Sequence, residues 1–115
     1  MDLKKVVDKL GWTVAAGAGG LGHEVKGGYV SDLLSDVMAN ARAGALWITI
    51  QTHANLVAVC TLNELAGVVI TGGKKPAEDT VAKAEAEGVP LLLAAEGSFD
   101  VAGKLHQLGV RGSGD

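Results

Sequence analysis

Three short runs, Leu46-Trp47-Ile48-Thr49-Ile50, Val68-Val69-Ile70-Thr71 and Val89-Pro90-Leu91-Leu92-Leu93-Ala94, are apolar almost without interruption, and helix-length segments separate them. A strand with one wet face alternates polar and apolar residues, whereas an uninterrupted run belongs to a strand covered on both faces. Strands covered in this way and joined by helical crossovers run parallel. The expected fold is therefore α/β, a three-layer α/β/α sandwich with a mostly parallel sheet. Pro90 stands at the start of its run, where a missing N–H is tolerated, and Gly72-Gly73 closes the second run in a tight turn.

The remaining elements follow from periodicity and caps. Leu3, Val6, Val7 and Leu10 lie at i, i+3, i+4 and i+7, which predicts a helix over 2–10 stopped by Gly11. Residues 12–16 read as a strand, and 23–26 as a second one beyond a glycine-rich loop. Ser31 is expected to cap a helix whose positive end Asp32 suits, with Leu33, Leu34, Val37, Met38 and Ala41 on one face and an end near 42–44. Residues 55–62 are apolar nearly all round, so that helix is expected to be buried on more than one side, in part by another subunit. Pro76 fits a first helical position before Glu78 and Asp79, in a helix ending before Gly88, and Ser98 is expected to cap a last helix carrying Val101, Ala102, Leu105 and Leu108.

At 115 residues the chain has the size of one domain, expected over 1–108 with a flexible tail over 109–115. Its 17 glycines come with only 2 prolines and no triplet period, so they mark turns and close approaches and not a collagen-like or low-complexity chain. A net charge of −3 and no basic cluster larger than Lys4-Lys5 or Lys74-Lys75 leave no stripe to neutralise a phosphate backbone, which argues against nucleic-acid binding. The amphipathic start is not the apolar stretch of a signal or membrane span, and the single Cys60 forms no internal disulfide. A cytoplasmic location without membrane association is the expectation.

Two motifs suggest phosphate binding, and both fall short. Gly17-Ala18-Gly19-Gly20-Leu21-Gly22 matches G-x-G-x-x-G, but His23-Glu24-Val25-Lys26-Gly27-Gly28 does not begin the helix that would hold a pyrophosphate. A connecting loop is the reading preferred. From Gly67 to Lys74 the spacing resembles a Walker loop shifted by one residue, yet its interval is an apolar strand and Lys75 stands where Ser or Thr belongs. His23, His53 and His106 lack metal-ligand spacing, and Cys60 lies in the most apolar helix without an activating base. No catalytic residue, metal or cofactor is implied.

In open α/β sheets ligands bind beyond the carboxyl ends of the strands. The polar segments there are Gln51-Thr52-His53-Ala54-Asn55 and Thr71-Gly72-Gly73-Lys74, so Thr52, His53, Asn55, Thr71, Gly72 and Gly73 are the candidate ligand-binding residues. The plainer alternative is that Thr52 caps the following helix and the glycines make a turn. Ser31, Asp32 and Asp36 are secondary candidates, because Asp32 and Asp36 share a helix side at i, i+4, where a solvated face is the alternative to acid–base work.

The segment Gly27-Gly28-Tyr29-Val30-Ser31-Asp32-Leu33-Leu34-Ser35-Asp36-Val37-Met38-Ala39-Asn40-Ala41, followed by Trp47-Ile48-Thr49 and Thr71-Gly72-Gly73, resembles the DRTGG domain family. The likeness spans roughly residues 1–108 and is nearest the stand-alone type similar to the N-terminal domain of HPr kinase/phosphorylase, often labelled a serine kinase. The resemblance implies a three-layer fold like the N-terminal domains of HPr kinase and some Mur ligases, dimers made through the domain, and no kinase activity. Family members beside CBS domains in regulated pyrophosphatases, and in the N-terminal region of some phosphotransacetylases, imply sensing or assembly. One departure is plain: Thr52-His53 stands where the family has its acidic and basic pair.

The function expected is a non-catalytic regulatory or ligand-sensing domain, binding a nucleotide or phosphometabolite, and homodimeric. The alternative is an interaction module for dimerisation or partner docking. A third reading is a phosphotransferase using Asp32, Asp36 or His53.

Overall fold

The computed structural model describes residues 1–113. The first helix, α1 (Leu3–Leu10), starts where the Asp2 carboxylate accepts the Lys5 N–H at 3.0 Å, a cap of a kind that contributes about 1 kcal/mol. It stops at Gly11, whose φ of 70° lets its N–H turn back to the Val7 carbonyl at 2.9 Å. Then follow β1 (Thr13–Ala16), a single 3-10 turn at Ala18–Gly20, β2 (Gly27–Val30), α2 (Leu34–Asn40), β3 (Ala45–Thr49) and α3 (Asn55–Leu62). The chain continues through β4 (Gly67–Ile70), α4 (Glu78–Glu87), β5 (Leu91–Leu93) and α5 (Ser98–Gln107).

The five strands form one sheet in the order β1-β5-β4-β3-β2, with β2, β3, β4 and β5 parallel and β1 antiparallel to β5. The three apolar runs thus lie side by side in one direction, as their composition predicts. Each crossover from β2 to β5 steps the same way across the sheet, so right-handed connections put α2, α3 and α4 on one face. That face packs Val37, Leu56, Val57, Cys60 and Ala84 onto Trp47, Val68, Ile70 and Leu91. The opposite face belongs to α1 and α5, which set Leu3, Val6, Val101 and Leu105 against Leu46, Ile48, Val69 and Leu92. Alternate side chains of each strand enter alternate cores, and that is why the runs are apolar on both faces apart from the buried threonines Thr49 and Thr71 at their outgoing ends. Each fully buried Leu, Ile or Val in such layers contributes about 1.5–3 kcal/mol.

Several expectations are corrected. The second strand is Gly27–Val30 and not 23–26; of the latter, Glu24 makes only an isolated bridge with Asp2. Pairing with β3 and the approach of other backbone override the low strand propensity of Gly27-Gly28. Ser31 does not cap α2, which begins after Leu33 without a side-chain cap, and Leu33 and Met38 are exposed while Val37 and Ala41 are buried. Pro76 lies two residues before α4, and Ser98 is inside α5 and not its cap. Within the single chain, helix α3 buries Leu56, Val57, Val59 and Cys60 and leaves Ala58 and Leu62 exposed. The segment expected as a flexible tail, 109–115, is hydrogen-bonded along β2 over 111–113; residues 114 and 115 lie outside those described. Among the described residues no helix is long and apolar enough to cross a membrane.

Candidate functional site

The parallel sheet delivers the loops after β2, β3, β4 and β5 to one rim. The β3 and β4 loops meet there: Thr71 N–H donates to the Thr49 carbonyl at 3.0 Å, and both threonines are fully buried. The Thr49 hydroxyl donates to Asp32 Oδ1 at 2.9 Å, the same oxygen that accepts the Ile50 N–H at 2.9 Å. Gln51 closes the network by donating its side-chain amide to the Asp32 carbonyl at 2.8 Å and its N–H to the Thr49 hydroxyl at 3.1 Å. Asp32 therefore ties the β2–α2 loop to the end of β3 instead of capping α2. Ser31 serves the same loop, its hydroxyl accepting the Leu33 N–H and its carbonyl the Trp47 indole N–H at 2.8 Å.

Asp36 shares Ser31 with this loop but not the partners of Asp32. Its carboxylate accepts the Tyr29 hydroxyl at 2.9 Å and the Asn40 amide at 2.8 Å. Hydrogen bonding from Ser31, Tyr29 and Asn40 holds its carboxyl below the ordinary range, and the partnership with Asp36 raises the Tyr29 phenol. The two aspartates that one helix side was expected to share are thus held by different partners.

The other predicted residues divide. The Thr52 carbonyl accepts the Ala77 N–H at 3.1 Å and the Thr80 hydroxyl at 2.8 Å, fastening the β3–α3 loop to the start of α4. Its hydroxyl does not cap α3, whose N-cap position is Ala54. His53 and Asn55 are exposed beside it. Gly72 and Gly73 have φ of 71° and 68°, but their N–H groups are occupied, donating to the backbone carbonyls of Glu96 at 2.7 Å and Ala94 at 3.0 Å. They form a turn and not an anion cradle.

Sequence reasoning missed the partner of that turn. After β4 the chain passes to α4 on one face, and after β5 to α5 on the other, so the outgoing loops diverge between these neighbours, the geometry in which open sheets make a ligand crevice. Ser98 belongs there: its hydroxyl lies 2.7 Å from that of buried Thr71. Glu96 and Lys104 form an ion pair beside it, which lowers the Glu96 carboxyl and raises the Lys104 ammonium. Glu96, Phe99, Asp100, Gly103, Lys104 and Gln107 line an open cleft of about 340 Å³ adjoining the crevice. A larger cleft, about 400 Å³ between His23, Lys26, Gly44 and Ala66, lies at the opposite edge, where β2, β3 and β4 begin. The topological argument and the pairing of the Ser98 hydroxyl with buried Thr71 favour the first location. No group of three His, Cys, Asp or Glu that would suit a metal occurs among the described residues. Burial pushes the Cys60 thiol up to about 12, which removes it as a nucleophile near neutral pH.

The Gly17–Gly22 motif also has a structural account. A Cβ on Gly17 would sit 2.0 Å from the Val89 carbonyl oxygen, and one on Gly20 would sit 2.8 Å from Pro90 Cγ. The glycines let the 3-10 turn lie against the start of β5.

Comparison with known families decides the relationship: the model of the DRTGG domain matches residues 5–108. This chain belongs to the DRTGG domain family. Among solved structures the DRTGG domain here is similar to one from Clostridium perfringens, the CBS and DRTGG domains of the regulatory region of a pyrophosphatase complexed with its activator, diadenosine tetraphosphate. The match has a TM-score of 0.66 at 15% identity, and covers 88% of this chain and 44% of that one. At that identity it is the fold that is shared. No curated protein matches the chain.

Proposed function

We propose that this DRTGG domain is a non-catalytic regulatory module that senses a small anionic molecule, a nucleotide or phosphometabolite, at the rim formed by the loops after β3, β4 and β5. The observation that carries the reading is the divergence of the β4 and β5 loops around Thr71 and Ser98 at an edge that also presents Thr52, His53 and Asn55. Exposed Lys74 and Lys75 directly follow Gly73 and supply positive charge for an anion; no ion pair engages either among the described residues. The activator of the pyrophosphatase regulatory region is itself a polyphosphate nucleotide, which supports the ligand class.

Thermal-shift titration with adenine nucleotides and phosphorylated metabolites tests this. A ligand at a hundred times its Kd stabilises the folded chain by about 2.7 kcal/mol, an upward shift of several degrees. The shift should shrink in a Lys74→Ala, Lys75→Ala double variant. A flat response across the panel at millimolar concentration removes the proposal.

A second reading, a homodimeric or partner-docking module, draws on the apolar side chains at the same rim: Val30, Leu33, Ile50 and Phe99 are exposed, Phe99 by 91%. Exposed apolar side chains gathered at one edge mark contact sites where they form a patch. Light scattering across a dilution series distinguishes it, since a monomer at every concentration with no bound partner leaves those side chains unexplained by self-association.

A further inference from the structure

The outer edge of β2 is covered by the chain's own following segment. After α5, Gly109 turns the backbone at φ 98°, and the Val110 N–H closes the helix by donating to the Leu105 carbonyl at 3.0 Å. The chain then runs parallel to β2: the Gly28 N–H donates to the Arg111 carbonyl at 2.9 Å, and the Ser113 N–H to the Gly28 carbonyl at 2.8 Å. Side chains fix the register. Val110 lies over Gly28 and packs into the α5-side core, while the Arg111 guanidinium donates to the His106 carbonyl at the end of α5, 3.1 Å away. The Ser113 hydroxyl accepts the Arg42 N–H at 3.1 Å. Val110, Arg111 and Gly112 form one wall of a cleft of about 130 Å³ whose other walls include Gly28, Ile48, Ala102 and Leu105.

This is strand addition made within one chain. The absent side chain of Gly27 makes the room, since a Cβ there would lie 3.1 Å from Ser113 Cβ and 3.2 Å from the Arg111 oxygen. The resident is held by one half-buried apolar side chain, Val110, and a handful of hydrogen bonds. Arg111 and Gly112 are exposed, and only Gly28 exchanges both backbone bonds with it among the described residues. Segments held by few buried contacts open locally without global unfolding.

We propose that the groove between the β2 edge and α5 is a peptide-docking site whose resident, Val110–Ser113, is displaceable. The partner it fits is an extended segment of the same chemistry: an apolar residue over Gly28, then a basic residue at the α5 carbonyls, then two small residues beside Gly27. Main-chain pairing supplies the attraction and the Val and Arg positions the selectivity, as in other strand-addition sites. This site is separate from the ligand rim and stands or falls independently of it.

The test keeps the full chain and uses the Val110→Asp variant, which expels the resident from its apolar seat while leaving the β2 edge intact. The probe is a blocked peptide of residues 108–113, followed in amide NMR spectra of the labelled protein. In the variant the Gly28 and Arg42 resonances should move away from their original positions, and peptide should return them. The unmodified chain should bind the peptide at least about tenfold more weakly, because its own segment competes. A folded variant that ignores the peptide, or equal binding by both chains, overturns the proposal. Hydrogen exchange on the unmodified chain gives a second measurement that needs no variant. The Gly28 and Ser113 amides should exchange at least about tenfold faster than that of Val68 in the sheet centre, and equal rates overturn displaceability.

Discussion

Replacing Gly17 by alanine puts the account of the glycine motif under direct test. Two penalties apply at this position. A φ of 73° costs an L-residue about 1 kcal/mol. The new Cβ would also lie 2.0 Å from the Val89 oxygen and 2.3 Å from its carbon, where ordinary contact begins at 3.4 Å. Relief requires moving the backbone that leads into β5, and overpacking of this kind costs about 1–3 kcal/mol. The total is about 2–4 kcal/mol, out of a stability of about 5–15 kcal/mol for a domain this size. Gly11 separates the two penalties, since it has the same left-handed backbone, φ 70°, with nothing within 4 Å of its Cβ position. Gly11→Ala should cost only about 1 kcal/mol. Gly19, in the motif but with neither strain nor a close neighbour, should tolerate alanine within about 0.5 kcal/mol. Urea denaturation followed by the fluorescence of the buried Trp12 and Trp47 measures all three. If Gly17→Ala costs no more than Gly11→Ala, the close approach to Val89 is not what selects glycine, and the motif needs another explanation.

Asp32→Ala should destabilise by about 2–3 kcal/mol, because it strips the acceptor from the buried Thr49 hydroxyl and the Ile50 N–H, while Asp32→Asn, which keeps an oxygen, should cost less than half as much; equal losses in denaturation curves would contradict the tie. The Cys60 thiol, raised to about 12, should resist alkylation at pH 8 until denaturant unfolds the chain, and mass spectrometry showing rapid modification of the native protein would refute its burial. The lowered Asp36 carboxyl stabilises the fold above the ordinary carboxylate range and loses that contribution as pH falls through its folded value. The stability advantage over Asp36→Asn should accordingly be present at pH 7 and shrink below about pH 4, and an advantage that grows in acid would reverse the assignment.

The parts of the fold legible in sequence were those whose residues leave one physical option. An unbroken run such as Leu46-Trp47-Ile48 has no wet face to offer, so a central parallel strand follows, and Gly11 and Gly88 stop their helices in the left-handed conformation that glycine favours. Elements supported by long-range pairing were harder to read. Gly27-Gly28 carries no strand propensity and becomes β2 only because β3 and residues 111–113 flank it. Asp32 has the pattern of a helix cap, and its actual partners, Thr49 and Ile50, lie on another element. The rim was legible as a place, because Thr52 and Thr71 follow strands that any parallel arrangement would align. Ser98 was not, because its pairing with Thr71 depends on α5 leaving the sheet by the opposite face.

The antiparallel pairing of β1 with β5 bears on how the molecule is made. Thr13 finds its partner in Leu93, so β1, made before the other four strands of the sheet, has no strand neighbour until β5 has been translated. The β2-to-β5 crossovers close over much shorter stretches and can assemble in order of synthesis. Seating of β1 is the step of sheet assembly that waits longest, and a rearranged gene in which β5 and α5 are encoded ahead of α1 and β1 would bring the two partners together sooner in translation.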